Sequence, residues 1–279
     1  MNELLLINKP QNMTSFDVVA IVRKSLNIKK VGHTGTLDPN AEGLMIILID
    51  KATKALPFLH LNRKEYIASL KLGLKTSTGD IWGEVIDQEN VPNISNEDVI
   101  LVLNSFIGKS IQTPPKVSAI SVNGKRLYEY ARKDQDVEIP KREIEIFEIE
   151  CLNIDDEIHF RVQCSSGTYI RSLCEDIASK LNTIGTMSKL TRTKIEMFEL
   201  KDAYTIQQIR NKEFMFTPVS KALTYPKIEV ESVIDVKNGK KIRCDSEEDI
   251  IVLTHENELL AIYEKDDEQH TYRCLRGLW

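Results

Sequence analysis

Nowhere in the 279 residues is there a run of about 18 consecutive apolar side chains, so no segment reads as a membrane-spanning helix. Residues 1–10 do not follow the basic-then-apolar plan of a signal peptide, and a cytoplasmic location is expected. The five cysteines (151, 164, 174, 244 and 274) are odd in number and include no C-x-x-C pair, while the five histidines are scattered. Neither a disulfide framework nor a zinc site is therefore expected, and the thiols should be reduced. Internal repeats and low-complexity tracts are also missing. The glycine-punctuated stretch Gly32 to Gly43 contains no G-K-[ST] and does not open a helix, which argues against a phosphate-cradling nucleotide enzyme and predicts no ATP dependence.

What is present is the composition of an ordinary globular protein, 42% hydrophobic and long enough for one large core or a core with a small appendage. The net charge of -5 is unevenly spread. Pro226 to Trp279 carries 8 basic and 13 acidic residues, and the preceding 225 residues carry 29 of each. Within that neutral part, Arg23 to Lys75 holds 10 basic residues against 4 acidic ones. A local surface of this kind can neutralise phosphates even on an acidic protein.

Periodicity predicts a short strand at Leu4 to Ile7. A helix should follow, capped by Thr14-Ser15-Phe16-Asp17, with an apolar face of Phe16, Val18, Val19, Val22 and Leu26. Leu44 to Ile49 reads as a buried strand and Tyr66 to Leu74 as an alternating one. Ser95 and Asp98 are expected to cap a helix from Asn96 to Ile107 that stops at Gly108, and Asn123-Gly124 marks a tight hairpin. Further strands are expected at Glu143 to Leu152 and Ile158 to Cys164, then a helix capped by Thr168 with Ile170, Leu173, Ile177 and Leu181 inward. Beyond Thr224, short strand candidates at Lys227 to Val230, Ile250 to Leu253 and Leu259 to Tyr263 alternate with acidic turns. Many strands with helices at irregular intervals predict a mixed α+β fold on a largely antiparallel sheet, with residues 1–223 as the main domain and 224–279 as a small β-rich one.

Two local features point to chemistry. In Gly32-His33-Thr34-Gly35-Thr36-Leu37-Asp38-Pro39 a lone carboxylate lies in a loop before a buried strand. Glycines 32, 35 and 43 should allow left-handed turns there, and Pro39 holds the chain out of helical geometry. Taken alone, Asp38 reads as an Asx-turn residue. The second feature is Arg171, in the first turn of a helix, where the helix dipole disfavours a cation. A carboxylate from elsewhere would hold it there; otherwise it is a surface arginine tolerating a penalty of roughly 0.5 kcal/mol.

Over nearly all of Met1 to Phe198 the chain resembles the TruB family of tRNA pseudouridine synthases. Five separated blocks carry the resemblance: Asn8-Lys9-Pro10 with Thr14-Ser15; the Asp38 loop through Ala41 and Gly43; Lys64-Glu65-Tyr66 leading to Leu72-Gly73 and Asp80; Gln112-Thr113-Pro114-Pro115 through Ser118 to Arg132; and Cys164 to Arg171 with Leu190-Thr191-Arg192. One departure is the run Thr76-Ser77-Thr78-Gly79-Asp80, where the family usually has T-D-T-x-D. The resemblance implies the pseudouridine synthase fold with a PUA-like tail. It implies isomerisation of one uridine, usually position 55 in the T loop of tRNA, a reaction that needs neither metal nor cofactor; a monomer is expected.

The resemblance further assigns Asp38 as the nucleophile or base at the sugar, Arg171 as the cation that keeps it ionised, and Tyr66 as the ring that meets the uracil. His33 matches the position beside the extruded nucleotide, Tyr169 and Leu190 match residues lining the uridine pocket, Asp80 is a second partner for Arg171, and Lys9 is expected among the substrate-binding residues. The Lys125-Arg126 and Arg132-Lys133 pairs around Tyr128 and Tyr130 suit a looped RNA, or else Leu127, Tyr130 and Ala131 form the buried side of a short helix. A rival reading is an RNA-binding or RNA-folding protein in which catalysis is secondary.

Overall fold

The computed structural model describes residues 2–133, 135–266 and 270–279. Two compact units emerge, one made of Met1–Leu61 with Leu200–Trp279 and the other of Asn62–Glu199. The fold class is the expected mixed α+β arrangement on largely antiparallel sheet.

In the first unit, strand Asn2–Lys9 pairs antiparallel with Glu42–Asp50 along its whole length, from Asn2 opposite Asp50 to Lys9 opposite Gly43. Leu4, Leu5 and Ile7 are fully buried, as are Leu44, Met45 and Ile47 to Ile49. That explains why Leu44 to Ile49 is a continuous apolar run: both faces of the strand are covered, and each such side chain contributes about 1.5–3 kcal/mol. Val31–His33 pairs on the other edge of Glu42–Asp50. The short strands Tyr204–Thr205 and Thr217–Pro218 pair with Asn2–Lys9, the former in parallel.

Helix Ser15–Leu26 begins at Thr14, whose hydroxyl accepts the Asp17 N–H at 3.1 Å while the Asp17 carboxylate accepts the Thr14 N–H at 2.9 Å. The expected apolar face needs one correction. Phe16 is 67% exposed, and Ser15 takes the inward place beside Val18, Val19 and Val22.

The C-terminal part of this unit carries its own five-stranded sheet, ordered Lys227–Glu229, Ile250–His255, Glu258–Lys265, Thr271–Gly277, Ile242–Arg243. Val236, Ile251, Leu253, Leu260, Ala261, Tyr263 and Tyr272 form its core. It is tied to the N-terminal strands of the same unit, for example through Asn2 Nδ2 donating to Leu259 O at 3.3 Å.

In the second unit, Arg63–Leu72 lies between Gly185–Ile195 and Ile158–Ser165, and the sheet continues through Arg142–Ile154 to Gly108–Gln112, all antiparallel. Helix Asn96–Asn104 has the predicted Ser95/Asp98 capping box, yet it ends before Ile107. Gly108, at φ +107°, then opens a strand.

Helix Ile170–Lys180 packs on strands Gly185–Ile195 and Arg63–Leu72. Gly185 marks the crossing, since a Cβ there would lie 2.6 Å from Ala178 Cβ and 2.8 Å from Leu70 Cδ1. Leu70, Ala68 and Tyr66 alternate onto one face of their strand, so the helix covers the face that Tyr66 presents.

The helix start also differs from expectation. Thr168 does not cap it; its hydroxyl donates to Ser165 O at 2.9 Å, and Tyr169 is the residue before the first turn.

Candidate active site

Asp38 is partly buried in the first unit, between two neighbours that are fastened from outside the loop. Ser15 Oγ accepts the Leu37 N–H at 2.9 Å and donates to Leu37 O at 3.0 Å. On the other side, Lys9 Nζ donates to Pro39 O at 2.9 Å, to Met13 O at 2.7 Å and to Pro10 O at 2.9 Å. Pro39 O also accepts the Met13 N–H at 3.2 Å, and Asp38 O closes a turn by accepting the Ala41 N–H at 3.1 Å. Leu37 itself is 4% exposed and acts as an apolar plug. The carboxylate is thus carried on a backbone whose orientation is set by the strand-to-helix segment Lys9 to Ser15.

Lys9, expected among the substrate-binding residues, is fully buried, and its ammonium is engaged by main-chain carbonyls that anchor the Asp38 loop. The glycine argument also narrows, because Gly32 pairs with Leu48 inside a strand and Gly43 takes φ +108°. His33 lies at the end of Val31–His33, opposite Ile47, and the following Thr34 N–H donates to Ile46 O at 3.1 Å.

The other expected site residues belong to the second unit. Tyr66 is 7% exposed and stands opposite Arg192 on one side and Val162 on the other. Leu190, 8% exposed, stands opposite Ala68 in the same register. Opposed residues of an antiparallel pair share a face, so the structure brings Tyr66 and Leu190 together on the face covered by helix Ile170–Lys180.

Arg171 is only 4% exposed, which excludes the surface-arginine reading. Its Nη1 donates to Thr78 O at 2.8 Å and its Nη2 to Val117 O at 3.0 Å, while Nε lies 3.9 Å from Asp80 Oδ2. Asp80 is thus one carboxylate from elsewhere in the chain beside this first-turn arginine, at the place of the second partner that the resemblance gave it. Burial pushes the Glu175 carboxyl upward, and the nearby Lys75 and Arg171 charges offset this only in part. Asp80 is in turn held by Thr78 Oγ1, which donates to Asp80 Oδ1 at 2.8 Å. Ser77, at the position where the resemblance leads one to expect an acid, accepts the Glu84 N–H on its hydroxyl at 3.2 Å.

Tyr169 is positioned by a residue that the sequence did not single out for a site role. Gln112 accepts the Tyr169 N–H at 2.8 Å and donates to Tyr169 O at 3.0 Å, so one side-chain amide fixes both backbone groups before the helix. The Arg142 guanidinium lies 5.7 Å from the centre of the Tyr169 ring. Gly167, at φ +90°, leaves room for it, since a Cβ there would meet Arg142 Nη1 at 2.8 Å. Arg192 is a second residue without a sequence-derived role; at 1% exposure it is the largest of the fully buried side chains. Together with burial, its charge depresses Lys64 to about 8.

The cationic and aromatic segment near residue 128 forms the short helix Leu127–Ala131, of which Leu127 is the buried residue and Tyr130 and Ala131 are half-buried. Leu127 is buried, while Lys125 lies over the Tyr130 ring at 5.8 Å and Arg132 over the Tyr128 ring at 5.4 Å. Among the described residues no cluster of three or more His, Cys, Asp or Glu side chains could hold a metal ion. No helix among them is long and apolar enough to cross a membrane.

Comparison with known proteins places these observations. Residues 23–170 match the family model described as TruB family pseudouridylate synthase (N terminal domain), and residues 171–223 match the tRNA pseudouridylate synthase B C-terminal domain. Relatives named tRNA pseudouridine synthase B include one from Clostridium tetani (strain Massachusetts / E88), 43% identical and aligned over 95% of this chain and 93% of its own length. Another, from Oceanobacillus iheyensis, is 40% identical with the same coverage, and one from Alkaliphilus oremlandii is 46% identical over 87% of this chain and 83% of its own. Among solved structures, a Cbf5-Nop10-Gar1 complex aligns with a TM-score of 0.72 at 24% identity, covering 100% of this chain and 85% of that one. An H/ACA RNP bound to a substrate RNA containing 2′-deoxyuridine gives the same TM-score and coverage at 22% identity. These two show the likeness of fold.

Proposed function

Since the chain belongs to the TruB family of pseudouridylate synthases, we propose that it isomerises the uridine at position 55, in the T loop of tRNA, as a cytoplasmic monomer whose small domain is residues 224–279. The family assignment itself carries the coarser statement: this is an enzyme that converts uridine to pseudouridine in tRNA.

The reaction breaks the bond from N1 to C1′, turns the base, joins C5 to C1′, and removes the proton from C5 while N1 gains one. It is redox-neutral and releases no group. Asp38 is the residue that attacks the sugar or removes a proton from it. Arg171 supplies the positive charge that favours the ionised carboxylate, and Asp80 aligns that guanidinium. Tyr66 stacks on the uracil with its phenolic oxygen where the C5 proton leaves, Tyr169 and Leu190 line the base pocket, and His33 takes the space beside the nucleotide swung out of its loop.

The single observation that supports Asp38 in this role is the double fastening of its neighbours. Leu37 is held by Ser15, and Pro39 by Lys9. Reactive groups need orientation fixed in advance, and an ordinary turn aspartate has no use for two buried anchors drawn from the first 15 residues.

Tritium release from tRNA labelled at uridine C5 tests the proposal. Wild-type protein should release tritium from transcripts with uridine at position 55 and not from those with cytidine there, while Asp38→Asn binds the same tRNA and releases none. Release by Asp38→Asn at the wild-type rate would remove Asp38 from the chemistry. Release that ignores position 55 would leave the isomerase and remove the T-loop assignment. The basic segment Arg23 to Lys75 also suits plain RNA binding, and the Asp38→Asn comparison separates that activity from catalysis.

A further inference from the structure

Trp82 follows the run Thr76 to Asp80, where the sequence departs from the family pattern, and its backbone is firmly held. Its N–H donates to Asp80 Oδ1 at 3.2 Å, the Gly83 N–H donates to Asp80 O at 3.1 Å, and Thr76 Oγ1 donates to the same carbonyl at 2.6 Å. The turn is bound to strand Gly185–Ile195, with the Ile81 N–H donating to Met187 O at 3.0 Å and the Met187 N–H to Gly79 O at 3.1 Å. Gly83 is closed against Thr78, where an added Cβ would lie 2.3 Å from Thr78 Oγ1. The whole turn therefore moves with Asp80, which pairs with Arg171.

From this fixed turn the Trp82 ring extends into solvent, 43% exposed, with Ile81 beside it at 41%. The chain has one other tryptophan, Trp279, and that one packs against the core of the C-terminal sheet. A large aromatic left half in water gives up burial free energy. Here its backbone is one hydrogen bond from the carboxylate that faces Arg171.

We propose that Trp82 is a stacking platform for a base of the tRNA loop flanking the uridine that is isomerised, an inference that rests on the function proposed above. A flat ring with two rotatable bonds on a rigid backbone loses little entropy when a base lies on it, and stacking accepts any base. Asp80, Glu84 and Asp87 surround it, with Arg171 beside Asp80 and Lys75 opposite Asp87, and the indole itself carries no charge, so what Trp82 offers an RNA is a ring face and not a phosphate contact. Its contribution to binding is accordingly independent of salt, unlike that of the lysines and arginines. Val85 and Ile86, each 59% exposed, extend the apolar surface, and a second copy of the chain is the competing occupant.

The test uses full-length protein carrying Trp279→Phe, which leaves Trp82 as the sole tryptophan, with Asp38→Asn added to block turnover during titration. Saturating T-loop tRNA transcript should quench the Trp82 emission. In the catalytically competent background, Trp82→Ala should raise KM for tRNA about tenfold with a smaller effect on kcat, and Trp82→Phe should recover most of the loss. The slope of log affinity against log salt should be the same in wild type and Trp82→Ala. Emission unchanged by saturating tRNA, a wild-type KM in Trp82→Ala, or a change in that salt slope would overturn the proposal. So would a shift in sedimentation on substituting Trp82, which would assign the surface to self-association. If Trp82→Ala does not fold, the quenching and the Trp82→Phe kinetics still decide. Quenching is read from binding alone, so it separates failure of this inference from failure of the wild type to release tritium.

Discussion

Ser15 and Leu37 exchange two hydrogen bonds across 22 positions of sequence, at 2.9 and 3.0 Å, and both are buried. A side-chain hydroxyl thus replaces the strand partner that Leu37 lacks, and the residue before Asp38 is held by the first turn of a helix. Ser15→Ala leaves a buried N–H and C=O unpaired, a loss of about 1–3 kcal/mol. The expected result is a lower kcat with tRNA affinity retained, alongside a lower urea midpoint. A kcat equal to wild type would mean that this clamp does not orient Asp38.

Lys9 holds the other neighbour. Lys9→Met keeps the length of the stem but takes the ammonium from three carbonyls, of which Pro39 O keeps the Met13 N–H, and it should destabilise the protein by about 2–3 kcal/mol, read as a fall in Tm. With its ammonium engaged by main-chain carbonyls, Lys9 should leave the salt dependence of tRNA binding by the folded fraction unchanged when substituted. A shallower salt slope would restore Lys9 to the RNA interface.

Gln112 uses both ends of its amide on Tyr169, accepting from N–H and donating to C=O. Gln112→Glu keeps the acceptor and loses the donor, whereas Gln112→Ala loses both. Activity should therefore fall in the order wild type, Gln112→Glu, Gln112→Ala, with each lost bond costing about 1 kcal/mol in kcat/KM. Equal activities in all three would detach this amide from the function of Tyr169.

Gly167 combines φ +90° with a position where a Cβ would meet Arg142 Nη1 at 2.8 Å. Gly167→Ala should cost about 1–2 kcal/mol from the backbone alone and displace Arg142 from the Tyr169 ring. Chemical denaturation measures the first effect and steady-state kinetics the second. If stability falls while kinetics stay at wild type, the cation over Tyr169 has no bearing on the reaction.

Burial, helped by the Arg192 charge, lowers Lys64 from 10.5 to about 8. Between those values the unfolded chain binds the proton and the folded one does not, so this residue makes stability rise with pH from about 8 toward 10.5. The gain over that window is on the order of 2–3 kcal/mol. Cys164, raised by burial to about 11, acts in the opposite sense above 9, because its unfolded thiol ionises first. Unfolding free energies of wild type and Lys64→Met, differenced at pH 7 to 10.5, isolate the lysine. A pH-independent difference would show that Lys64 keeps its charge in the fold.

Much of this molecule is legible in local patterns. The Thr14/Asp17 and Ser95/Asp98 capping boxes, the Asn123-Gly124 turn and the Leu44 to Ile49 strand form where their residues predict, because each depends on chemistry within a few positions. The aspartate loop and its partner blocks identify the family for a related reason, since each is a short run of residues read directly along the chain.

The tertiary structure decided what depends on long-range pairing. Strand Gly185–Ile195, next to the Tyr66 strand, escaped the hydrophobic pattern because Thr186, Ser188 and Arg192 are among its buried residues. Those polar groups are admissible only where distant partners exist, as Ser188 Oγ finds in Glu157 Oε2 at 2.7 Å. Phe16 outside and Ser15 inside invert the apolar pattern because Ser15 has Leu37 to bond, and no periodicity encodes that. The same physics makes Lys9 an anchor, since a buried ammonium is tolerated where the chain brings carbonyls to it. Sequence thus determined the local geometry and the family, while the burial and satisfaction of polar side chains were settled only when the chain closed on itself.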